Sequence, residues 1–134
     1  MQWDSTANAG FTTGEPWLPL APDFAEVNVA GQLADEQSTL AFYRRLLRLR
    51  REQPALTSGT ITLVDGLAAD LLAYVRAYEG RRLLIILNFG DQEQAVDISG
   101  FATSAQSLLA TTFGAQSGAL VQVAPHESIL LELS

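Results

Sequence analysis

Cysteine and lysine are both missing from this chain, histidine occurs once, and only 17% of its 134 residues are charged. Without cysteine there are no disulfides and no thiolate metal sites, and a single histidine excludes a multi-histidine zinc site. No stretch approaches the 18 or more uncharged apolar residues of a membrane span. The start, Met1 to Gly10, has neither the basic nor the apolar region of a signal peptide. The chain is therefore expected to be cytoplasmic, without a membrane partner. Base is lacking altogether from residues 1–37, which hold Asp4, Glu15, Asp23, Glu26, Asp35 and Glu36.

What is present divides unevenly. The formal net charge is −7 and 48% of residues are hydrophobic, the balance of a folded globular protein rather than of a nucleic-acid binder. All eight basic residues are arginine, and five of them cluster between Arg44 and Arg51. The length suits one ordinary domain and is too short for a complete (β/α)₈ barrel, which takes roughly 250 residues.

Three segments follow one another. Residues 1–35 hold Pro16, Pro19 and Pro22 and show neither helical nor strand periodicity, so an irregular loop built to lie against a larger body is expected. Residues 36–53 place Leu40, Tyr43 and Leu47, with Phe42, Leu46 and Leu49, on one helical side. Asp35 is the expected N-cap and Pro54 the stop. Residues 58–134 change to short apolar or alternating runs at 60–64, 71–78, 82–89, 94–98, 107–112, 120–123 and 128–133. Such spacing predicts an antiparallel β-sandwich. Leu83-Leu84-Ile85-Ile86-Leu87, apolar on both faces, reads as a central strand, and Glu79-Gly80 as the tight turn before it. The fold class is thus α+β, mainly β.

Candidate chemistry is sparse. Asp4 and Glu15 are loop carboxylates with no positioned partner, and solvated acids are the expected reading. Trp3, Phe11 and Trp17 offer flat faces for sugar stacking or for anchoring the loop on a neighbouring surface, and anchoring is favoured for Trp17. His126 reads as a turn residue before the last strand, because no nucleophile is placed near it. The arginine run reads as an amphipathic helix whose side chains serve its dipole, with nucleic-acid binding as the rival. Motifs for phosphate, zinc, calcium or an esterase serine are absent, and no cofactor is expected.

The opening Met1-Gln2-Trp3-Asp4-Ser5, with Asn8-Ala9-Gly10-Phe11-Thr12-Thr13-Gly14 and Pro16-Trp17-Leu18, resembles the α-glucosidase and oligo-1,6-glucosidase branch of the α-amylase family. The likeness continues through Val27-Asn28-Val29, Gln32 and Ser38 to Leu46 into Tyr74-Val75-Arg76 and Leu87-Asn88-Phe89-Gly90-Asp91. It implies that 1–35 is a loop from the end of a catalytic barrel, 36–53 the last barrel helix and 58–134 the C-terminal β domain. The family's catalytic aspartates and glutamate lie upstream of these motifs, so no catalytic residue is expected here. In the parent cleft, Trp3, Asp4 and Phe11 are the candidate substrate-binding residues. The implied partner is the parent barrel; failing that, Leu40, Tyr43, Leu46 and Leu47 would seek cover by self-association. Trehalose-forming and sucrose-acting relatives share much of the pattern. A freestanding carbohydrate-binding module is the alternative from another class.

Overall fold

A computed structural model describes residues 1–111 and 119–134. The chain divides into two compact units, Met1–Arg48 and Leu49–Ser134.

In the second unit, the run that is apolar on both faces is indeed a central strand. β3 (Arg81–Asn88) lies third in an antiparallel five-stranded sheet ordered β1-β2-β3-β7-β5, with β1 at Thr60–Leu63, β2 at Leu71–Tyr78, β5 at Ala105–Ala110 and β7 at Ser128–Leu133. Side chains alternate across a strand, so Leu84 and Ile86 point to one face while Leu83 and Ile85 point to the other. Glu79 and Gly80, with φ of 47° and 84°, make the β2–β3 turn. Both angles are positive, as a two-residue hairpin whose twist matches its strands requires.

The second layer is smaller: β4 (Gln94–Asp97) pairs only with β6 (Leu120–Val123) among the described residues. Val96, Val121 and Val123 from this pair pack with Ala73, Leu84, Ile86, Ile129 and Leu131 of the large sheet. That is the sandwich core. On the opposite face Leu83 and Leu130 pack with Ala55 and Leu56 of α3 (Pro54–Ser58), so β7 buries Leu130 as well as its alternate partners. The expected strand at 107–112 begins two residues earlier and is bulged between Ser107 and Leu109; Thr112 lies outside the described residues.

Three expectations for the helical part need correction. The helix starts at Thr39, as α2 (Thr39–Glu52), and its cap is Ser38. The Ser38 hydroxyl accepts from the Ala41 N–H at 3.1 Å, and Phe42 N–H donates to the Ser38 carbonyl. Asp35 instead accepts from Gln37 N–H in a turn upstream. Pro54 ends α2 and also opens α3 at its first position, where a missing N–H costs nothing. The α3 carbonyls then receive arginines, Arg50 Nη1 on Leu56 at 2.8 Å and Arg76 Nε on Ala55 at 3.0 Å. Finally, residues 1–35 are not without helix: α1 covers Val29–Ala34, and Ala7–Gly10 form a tight turn.

The first unit holds its shape through side chains more than through apolar packing. Asn28, buried, caps α1 by accepting from Gly31 N–H at 2.9 Å and donates its amide to the Phe24 and Ala25 carbonyls. The first two N–H groups of α1, on Val29 and Ala30, donate to the Gln2 and Trp3 carbonyls. Gln32 reaches from α1 to α2, its Oε1 accepting from Leu40 N–H at 2.9 Å while its carbonyl accepts from the Ser38 hydroxyl at 2.7 Å.

Candidate functional site

The Trp3 to Phe11 loop is organised by a left-handed turn. Asn8, Ala9 and Gly10 all have φ between 55° and 63°, a region that costs a non-glycine residue about 1 kcal/mol or more. Hydrogen bonds hold it there. The Ala9 carbonyl accepts from Trp3 N–H at 2.8 Å, Ala9 N–H donates to Thr6, and the Asn8 amide donates to the carbonyls of Gly14 at 2.9 Å and Thr12 at 3.3 Å. Ala9 is completely buried.

Asp4 sits over this turn. A Cβ on Gly10 would fall 2.7 Å from Asp4 Oδ2, so only glycine leaves room for the carboxylate. Asp4 Oδ1 accepts from both the hydroxyl and, at 2.9 Å, the N–H of Thr6. The Thr6 hydroxyl first and the N–H second hold its pKa below the ordinary aspartate value. Asp4 is therefore a fixed acceptor and not a proton donor at neutral pH.

Of the three candidate substrate-binding residues, Trp3 and Asp4 meet the left-handed turn and Phe11 follows it in the chain. Phe11 lines a hollow of about 310 Å³ with Met1, Gln2, Pro16, Trp17 and Leu18, whereas Trp3 and Asp4 are not among its lining. Trp17, 86% exposed, presents an open ring there. Sequence reasoning treats Phe11 and Trp17 separately and misses that both line the same hollow. Glu15 is exposed. His126 occupies a turn with φ of 57°, and its Nε2 lies 2.9 Å from Asp91 Oδ1. Among the described residues no group of three or more histidines, cysteines or acids is placed to hold a metal, and no helix is long and apolar enough to cross a membrane.

Residues 1–59 match the family model described as the alpha-amylase catalytic domain, which thus ends one residue before β1. The whole chain continues the match: it is 31% identical over 136 residues to an oligo-1,6-glucosidase of Bacillus cereus, covering 99% of this chain and 24% of that protein. The chain belongs to the α-amylase family. Other relatives are the glucan 1,6-alpha-glucosidase of Streptococcus pneumoniae, 34% identical over 99% of this chain and 24% of its own length, and the trehalose-6-phosphate hydrolase of Bacillus subtilis, 31% identical over 100% of this chain and 25% of its own. Among solved structures, the trehalulose synthase of Pseudomonas mesoacidophila superposes with a TM-score of 0.87 at 34% identity, over 99% of this chain and 24% of that one. The chain thus spans about a quarter of the length of the α-amylase family members it matches. The fold is that of their C-terminal β-sandwich with the helices that precede it.

Proposed function

We propose that this chain is the non-catalytic C-terminal region of an α-amylase-family glycosidase acting on maltose-like or isomaltose-like α-glucosides in the cytoplasm. Residues 1–35 and α2 would close the end of its barrel, and 58–134 form its terminal β domain. The observation that carries the reading is the alignment: nearly all of this chain matches a quarter of enzymes named for α-1,6-glucoside cleavage. Two features of the chain agree with it. No residue of α2 is buried, and Tyr43 and Leu47 are more than half exposed, as expected of a helix made to pack on a further body. Asp4 is locked as an acceptor, where retaining hydrolysis needs one carboxyl with a raised pKa and another roughly 5 Å away.

Incubating the pure chain with a chromogenic α-glucoside, maltose, isomaltose and sucrose should release no glucose above buffer. Turnover that co-purifies with the chain and is lost in Asp4→Asn would overturn the proposal and make the opening loop an active site.

A further inference from the structure

Five strands face two in the sandwich, so the small β4–β6 layer cannot cover the whole large sheet. The uncovered part is a cleft of about 740 Å³ over the β1–β2 end, within the range of small-molecule sites. Leu71, Val75, Val96 and Phe101 give it an apolar lining, and all four packing groups belong to or abut the sandwich core. Thr62, Asp65, Arg82, Gln94 and Asp97 add the polar groups. All four residues of β4 line the cleft although their side chains alternate, so the strand turns its backbone edge toward it. Among the described residues that edge has no strand partner, as an edge offered to a ligand requires.

The chemistry of the lining selects among ligands. Asp97 accepts from Ser99 N–H at 2.8 Å, and that bond first, with the Ser99 hydroxyl, holds its pKa below the ordinary value. Arg82 Nη2 is committed to the Phe101 carbonyl. Two carboxylates and one engaged guanidinium leave no net positive charge to attract an anion. A wholly apolar ligand would strip water from the carboxylates without replacing it. A polyhydroxylated ring satisfies both demands, since each hydroxyl both donates and accepts and its C–H face suits the apolar lining.

We propose that this cleft is a binding site for a neutral saccharide, one or two pyranose units long, separate from any site formed by the opening loop. The binding requires no turnover, so it stands or falls independently of the activity assay above. Titrating the ¹⁵N-labelled chain with maltose and isomaltose should shift the amides of Asp65, Gln94 and Asp97 saturably. The Gln94→Ala/Asp97→Ala double variant should bind about tenfold more weakly, the loss expected when two side-chain hydrogen bonds of about 0.7 kcal/mol each are removed. If the double variant does not fold, Asp97→Asn alone should reduce affinity with the spectrum otherwise intact. Three results would overturn the site: no saturable shift at these amides, shifts confined to Phe11 and Trp17, or affinity unchanged in a folded variant. Stronger shifts with butylammonium than with either sugar would also refute it, by marking the cleft as a cation site.

Discussion

Removing the Asn88 amide should be among the most damaging single changes in the second unit. Asn88 ends β3, is 3% exposed, and donates Nδ2 to the carbonyls of Gln92 at 2.8 Å, Ala124 at 3.0 Å and Val123 at 3.2 Å while its Oδ1 accepts from Gly90 N–H at 2.9 Å. Two hydrogens serve three acceptors, so one is shared. Asn88→Ala loses about three bonds of ~1 kcal/mol each and leaves carbonyls facing a space that admits little water, for a total of about 2–4 kcal/mol. With a urea slope of about 1.5 kcal/mol/M, the midpoint should fall by about 2 M. The readout must belong to this unit. Both tryptophans, Trp3 and Trp17, lie in the first unit, so amide exchange at Leu84 and Ile86 is the proper probe and fluorescence is the internal control. Asn88→Asp adds a sign test. Facing three carbonyls, the carboxylate is disfavoured as an anion, so its folded pKa is raised above the ordinary aspartate value. A raised folded pKa means stability held at low pH and lost as pH climbs through that value. The Asp variant should therefore be weakest near neutrality and recover toward pH 4. Asn88→Ala within 0.5 kcal/mol of the parent chain, or an Asp variant indifferent to pH, would refute this account of the amide.

Other perturbations follow from the first unit and its surface. Gly10→Ala places a Cβ against Asp4 and fixes an L residue at φ 63°; the first unit should lose about 1–3 kcal/mol, read by tryptophan fluorescence in urea, with β3 exchange unchanged. The Asp4 carboxyl should titrate below the ordinary aspartate range by NMR and move up in Thr6→Val, because the hydroxyl is the leading cause of the depression. Its contribution to stability, present above the unfolded pKa, should fade only as pH falls through that lower folded value. On α2 Tyr43 and Leu47 are exposed and Leu40 and Leu46 half-buried, so sedimentation should show concentration-dependent association that Leu47→Asp abolishes.

Much of the second unit was legible because its signals are local or periodic. The run at 83–87 declares two buried faces in its composition, and Glu79-Gly80 declares a hairpin in two residues. The partition of strands between sheets was not legible, since alternation says which side of a strand is apolar and not which layer it joins. The order of the first unit is hidden in the sequence for a related reason. Its order comes from Asn8, Asn28 and Gln32 reaching backbone groups three to eight residues away, and such bonds leave no period in the sequence. Aspartate before an apolar run is a common helix start, so the sequence alone favours Asp35 as N-cap. Ser38 won since its hydroxyl also finds the Gln32 carbonyl, a partner invisible without the α1–α2 bend. Of the candidate site, the residue types are legible and their setting is not: the left-handed turn that brings Gly10 under Asp4 depends on the whole Asn8–Gly10 arrangement.

The strand order carries a consequence for how the second unit assembles. Among the described residues β5 pairs only with β7, and β7 reaches its other neighbour, β3, across some forty residues of intervening chain. A hairpin such as β2–β3 closes in microseconds, but β5 joins the large sheet only when β7, its partner, has crossed that distance and docked on β3. β7 is thus a gatekeeper in time: a proline at Leu131, where both neighbours meet it, would leave β1–β2–β3 assembled and strand β5 without a place to register.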